Sequence, residues 1–177
     1  MQLFYTGADF FQASQINIDK SLGGFLSSTV IPNDLVNNLF SDISRLGQER
    51  GYTETKGIVL KNTTSSNVSM IELYQTYPTN CLVKLEWAAV TLVGGQQMEK
   101  IGSMRSTPYI GTFYEPNGIA NRIMLSSSLS VGSAIGLWVR RKIISPPAID
   151  SIPADQLESY VASLNNKETI DITLSWT

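Results

Sequence analysis

Glu54, Glu72, Glu86, Glu99 and Glu115 are the side chains of this sequence best suited to acid–base chemistry. Two carboxylates about 5 to 10 Å apart across a cleft would make a glycosidase. These five fall on different predicted elements, and no spacing singles out such a pair, so they read as carboxylates on solvated strand faces. The acidic residues do not alternate with Asn and Gly in the manner of a calcium loop. Gly94-Gly95 is followed neither by Lys-Ser/Thr nor by a helix start, so it is no phosphate cradle. Cys81 follows the turn Pro78-Thr79-Asn80 without a basic partner and reads as an ordinary thiol. The chain contains no histidine. That removes Ser-His-Asp triads, Cys-His pairs and His-based zinc sites. The expectation is a protein without catalytic residues, cofactor or metal, and not an enzyme.

Composition narrows the partners. Charged residues make up 16% of the 177, the net charge is −2, and Ser and Thr are abundant. No basic run exceeds Arg140-Arg141-Lys142, which argues against nucleic-acid binding through a broad positive surface. No stretch of 18 apolar residues occurs, so no membrane-spanning helix is expected. The opening MQLFYTGADFF has neither a basic segment nor a long apolar one, and no signal peptide is expected. The sequons at Asn62 and Asn67 then read as turn residues. The single cysteine rules out an internal disulfide framework and fits synthesis in a reducing cytoplasm.

The element that organises the rest is Leu129–Ile143, LSVGSAIGLWVRRKI. After a turn at Gly132-Ser133 it alternates. Ile135, Leu137, Val139 and Ile143 share one face with Arg141, and Trp138, Arg140 and Lys142 share the other. A strand this long and apolar belongs in the middle of a sheet. Arg141, near its end, is expected to snorkel out of the core. Further strands are predicted at Gly57–Lys61 and Val68–Tyr74, as a hairpin across the polar loop Asn62–Asn67. Others follow from Val83 to about Leu92, at Tyr109–Tyr114, at Arg122–Leu125 and at Ile170–Trp176; residues 96–104 lean towards strand or loop. A helix is predicted over 34–47, capped by Asn33 and carrying the stripe Leu35, Leu39, Ile43 and Leu46. A second is predicted over 153–165, with Pro153 in its first turn.

Short strands every ten residues or so, separated by Gly, Pro and Asn turns, predict a mainly β chain. The fold expected is an antiparallel β-sandwich, Ig-like or jelly-roll-like, with two short covering helices. Residues 33–177 form that single domain. Residues 1–32 show no clear period and read as an extended N-terminal arm. Its aromatics Phe4, Tyr5, Phe10 and Phe11 dock either on a neighbouring subunit or across their own domain. Trp138, Arg140 and Lys142 would form an outward aromatic-basic strip, and with the four arm aromatics they are the expected subunit interface. A rival reading makes Tyr109, Tyr114 and Trp138 a sugar-stacking platform of a carbohydrate- or receptor-binding module.

Three stretches, SLGGFLSSTVIPNDLVNNLFSDIS at 21–44, GIVLKNTTSSNVSMIELY at 57–74 and SLSVGSAIGLWVRRKI at 128–143, together resemble virion structural proteins of tailed bacteriophages. The resemblance covers roughly a third of the chain and contains no catalytic motif. The helix predicted at 153–165, before the last strand, departs from the pattern. It implies a structural assembly protein located in the virion after synthesis in the host cytoplasm. The part implied is a neck ring, a head–tail adaptor or a capsid decoration. The implied partners are portal, adaptor, tail or capsid proteins and further copies of the chain in a homo-oligomeric ring, with neither membrane nor sequence-specific nucleic acid. On this reading, deleting residues 2–20 leaves a folded domain that no longer assembles.

Overall fold

The computed structural model describes residues 1–7, 21–32, 38–41, 43, 50–76, 83–109, 111–144 and 171–177. The chain is mainly β and its strands pair antiparallel. The strands are β1 (Gln2–Gly7), β2 (Gly23–Val30), β3 (Tyr52–Lys61), β4 (Val68–Thr76), β5 (Val83–Val90), β6 (Gln97–Lys100), β7 (Ile123–Leu129), β8 (Ala134–Ile143) and β9 (Asp171–Ser175). A six-stranded sheet runs β5-β8-β3-β1-β2-β6, and a three-stranded sheet runs β7-β4-β9.

β8 lies inside the large sheet, as its length and apolar content predict. Every residue from Ala134 to Ile143 faces one of β3, and Gly136 to Ile143 also face β5. β3 is the second interior strand, with Thr55 to Leu60 all buried. Alternation along these strands supplies two cores. Ile58, Leu60, Leu137, Val139 and Trp87 point towards the small sheet and meet Ile71, Leu73, Leu125 and Leu129 there. Val59, Ala88 and Trp138 point the other way. On that side the large sheet curls into half a barrel. Its hollow is filled by Trp138 together with Met98 of β6, Leu26 of β2, and Leu92 and Ile101.

Three expectations change. The arm reading does not hold for the described part of residues 1–32: β1 sits between β3 and β2, with Tyr5, Thr6 and Gly7 buried. The strand was invisible because buried strands lack a polar–apolar alternation, and QLFYTG mixes types on both faces. Secondly, β3 and β4 are not a hairpin. Both edges of β3 are taken by β1 and β8, so the chain crosses at 62–67 into the other sheet, where β4 pairs with β7 and β9. Thirdly, Asn38–Ser41 and Ile43, within the helix predicted at 34–47, lie in bends and irregular chain. The rest of that helix lies outside the described residues, as does the whole of 153–165. Phe10, Phe11 and Cys81 lie outside them as well.

Asn62 fixes the corner where the chain changes sheets. It is fully buried. Its amide group donates to the carbonyls of Ser66 (2.9 Å) and Leu129 (3.0 Å), and its Oδ1 accepts from the backbone N–H and hydroxyl of Thr64. Its backbone N–H donates to the Ser133 carbonyl, and its own carbonyl accepts from Gly132. The outgoing crossover at 62–67 and the return crossover at 130–133 are thereby tied to each other. Asn67, the other sequon residue, accepts from the Val131 N–H.

Candidate interaction surface

The large sheet brings Trp138, Arg140 and Lys142 to one face of β8, but that face does not open to solvent. Trp138 is fully buried. Its six-membered ring lies against backbone where only glycine fits. A Cβ on Gly57 would stand 3.0 Å from that ring. A Cβ on Gly23, where φ is +83°, would stand 2.8 Å from it and 1.8 Å from the Glu99 carbonyl oxygen. The sequence reading placed Trp138 outside because strand alternation says which residues share a face and not what covers it. The cover is the curl of its own sheet. Tyr5, another expected anchor, is also buried, and its hydroxyl donates to the Asn38 carbonyl. Phe4 is half-buried in β1.

Beyond Trp138 the strip becomes ionic. Glu86 of β5 faces Arg140 across the ladder, and Lys84 faces Lys142. Two lysines directly opposite repel each other, and the side chains relieve this by turning to carboxylates. Lys142 reaches Glu86 Oε1 at 2.5 Å, and Lys84 reaches Glu115 at 3.5 Å. Arg140 donates through Nε to Glu86 Oε2 at 2.6 Å, and its guanidinium stacks 3.9 Å from the centre of the Phe113 ring. Burial raises the pKa of the Glu86 carboxyl, but the hydrogen bonds from Lys142 and Arg140 outweigh it and hold the group below its ordinary range. Glu86 is therefore ionised and occupied near neutral pH, a poor proton donor. The Arg140–Lys142 end of the strip is partly solvent-accessible; its tryptophan is not.

The other carboxylates are engaged separately. Arg141 does not snorkel. It is buried beside Glu54, its directly opposite residue in β3, and donates to both Glu54 and the Ser41 carbonyl. Phe40 covers it at 4.6 Å and also lies 5.6 Å from the buried Lys56 ammonium. Glu72 pairs with Arg122, and the Glu99 carboxylate accepts the Tyr109 N–H. Among the described residues no cluster of three or more His, Cys, Asp or Glu is placed to hold a metal ion.

Sequence reasoning passed over the polar groups that hold the body together. Thr6 and Ser21, both fully buried, each donate a hydroxyl to the Gly57 carbonyl, at 2.7 and 2.6 Å. Gln75, also fully buried, accepts the Trp87 indole N–H at 2.9 Å and donates to the Leu85 carbonyl, joining the two sheets. Isolated Thr, Ser and Gln residues carry no pattern that marks them in advance. The exposed apolar residues gather elsewhere. Tyr114, Met124 and Ile119 are more than half exposed. A shallow groove of about 460 Å³ runs between Ala89, Thr112 and Tyr114 on one side and Ile123 to Leu125 on the other. Tyr109 is 94% exposed while Trp138 is sealed inside, so the two do not share the sugar platform considered above.

Compared with models of known protein families, with curated proteins and with solved structures, the chain finds no match.

Proposed function

We propose that this chain is a structural assembly protein of a tailed-phage virion, built as a rigid antiparallel β-sandwich and set in the head–tail connecting region as a ring or adaptor. The observation that carries this reading is where the three phage-like stretches fall. Ser21 of the first donates to the carbonyl of Gly57 in the second. Gly23 and Gly57 together seat Trp138 of the third. Asn62 of the second ties down Leu129 and Ser133 of the third. The resemblance therefore follows one contiguous nucleus of the body, which is the part that related building blocks would share.

The role is geometric. Described carboxylates engage cations or backbone amides, and two cores stiffen the large sheet on both faces. Because β1 and β2 belong to this body, contacts to portal, adaptor, tail or capsid proteins are assigned to the outside of the block and not to residues 2–7 or 23–30. Immunogold electron microscopy of phage particles, with antibody to the purified protein, tests the reading. Label at a single vertex is the expected result. Label spread over the head would move the chain to capsid decoration. Bare particles, whole and gently opened, with the protein also missing from their mass spectra, would overturn the virion role.

A further inference from the structure

We infer that the outer edge of β7 is a self-association surface, where a second copy of this chain adds its own β7 antiparallel about a two-fold axis through Ser127. This goes beyond the virion reading, since it needs two copies of the chain and no other particle component.

The first observation is the state of the edges. The outer side of β5 is closed by Tyr114, whose backbone exchanges hydrogen bonds of 2.8 and 2.9 Å with Trp87. β6 has four residues, including Glu99 and Lys100, and β9 has five and begins at Asp171. Short, charged or covered edges resist pairing with another chain. Among the described residues, β7 has none of these protections. It runs seven residues, IMLSSSL, without a charge or a proline, and among the described residues its one strand partner is β4.

The second observation is the direction of its free backbone groups. Ser69 of β4 exchanges both backbone hydrogen bonds with Thr177, at 2.8 and 3.0 Å, on the side away from β7. Ser128, directly opposite Ser69, therefore sits in a non-hydrogen-bonded pair and turns its own N–H and C=O outward. In the single chain the Ser128 carbonyl accepts the Ser126 hydroxyl at 2.7 Å. By the same alternation Ser126 also faces out, while Ser127 faces β4.

The third observation is the sequence of the strand, which names the occupant. Ile123-Met124-Leu125-Ser126-Ser127-Ser128-Leu129-Ser130-Val131 is nearly a palindrome about Ser127. Antiparallel self-pairing centred there sets Leu125 of one copy against Leu129 of the other and Ser127 against Ser127. Both leucines already belong to the core between the sheets, so that core continues across the axis. Ser126 and Ser128 meet as hydrogen-bonded pairs on either side of the axis, using the groups that face outward. No charge meets its like, as an isologous contact demands. The register irregularity in the β4–β7 ladder lies between Ile71 and Glu72, at Leu125, and Met70, across from Ser127, has a φ of +51°, while Ser126, Ser128 and Leu129 keep their partners in β4. The contact closes at two copies, so it is distinct from a ring contact.

The test uses the full chain. Light scattering and sedimentation over a concentration series should show the mass rising towards twice 19.5 kDa. Ser127→Lys sets two ammonium groups on the axis and should hold the single-chain mass, with unchanged circular dichroism because Ser127 is exposed. In a Cys81→Ser background, Ser127→Cys should oxidise to a disulfide dimer much faster than Thr107→Cys, an exposed control. Non-hydrogen-bonded partners stand with Cα atoms about 4.5 Å apart, within disulfide reach. A wild type that keeps the single-chain mass overturns the inference. So does a doubled mass that survives Ser127→Lys, or a thiol at 127 that oxidises no faster than the one at 107.

Discussion

Two tryptophans on neighbouring strands show how differently one residue type is held. Trp87 and Trp138 are both fully buried. The Trp87 N–H bonds to Gln75, while the Trp138 N–H has no hydrogen-bond partner among the described residues. Trp87→Phe removes a similar volume but also breaks the buried hydrogen bond to the Gln75 oxygen, which costs about 1–3 kcal/mol. Trp138→Phe removes a donor with no acceptor among the described residues. Urea unfolding should therefore show Trp87→Phe to be the more destabilising of the two. Gly23→Ala forces a Cβ into the Glu99 carbonyl and the Trp138 ring at a positive φ, and a loss of about 3 kcal/mol or more is expected. Gly94→Ala, at φ +59° with nothing within 4 Å, should lose only about 1 kcal/mol. Glu86 gives the molecule an acid-sensitive component. Its folded pKa is depressed, so its contribution is present above the ordinary glutamate range and is lost as pH falls through the lower folded value. Unfolding free energies measured for wild type and Glu86→Gln down this range should converge as the pH drops.

At the level of elements, the central position of β1 reverses the expectation for truncation. Removing residues 2–20 takes a strand from between β3 and β2 and strips the Gly57 carbonyl of the Thr6 hydroxyl. The deletion should yield unfolded or aggregating chain, seen as loss of the β circular-dichroism signal, and not the folded, assembly-defective domain that an exposed arm would leave. The corner at Asn62 is a second element-level device. Asn62→Ala breaks the bonds to the carbonyls of Ser66 and Leu129 and to Thr64, the one to Leu129 fully buried, and a loss of about 2–4 kcal/mol is expected from their combined removal. Its readout is the urea midpoint. Asn62→Asp keeps the acceptor but turns a buried carboxylate towards the Ser66 and Leu129 carbonyl oxygens, and should be at least as destabilising as Asn62→Ala.

On the scale of the whole molecule, β3 and β8 belong to both cores at once. Ile58 and Leu137 face the small sheet, while Val59 and Trp138 face the hollow of the half-barrel. Neither core can open without moving the strands that floor the other, so both should melt in one transition. Native-state hydrogen exchange is expected to find the amides of Ile58–Leu60 and Leu137–Val139 exchanging only through global unfolding, with Gly94–Gln96 exchanging fastest. Two separate melting transitions would mean that the curl of the large sheet is an independent unit.

The β class, the interior place of β8, the shared face of Trp138, Arg140 and Lys142, and the strands around Val68, Val83 and Asp171 were legible in the sequence. Alternation, β-branched content and turn residues act over a few neighbours, and a linear reading sees those neighbours. The tertiary structure alone decided what lies against each face. It sealed Trp138 under the curl of its own sheet, sent β4 to a different sheet from β3, and set Gln2–Gly7 as a strand between β3 and β2. These outcomes depend on contacts between residues distant along the chain, such as Ser21 with Gly57 and Asn62 with Leu129. Hydrogen-bond saturation and close packing select them only once the strands have met, and no local period records them beforehand.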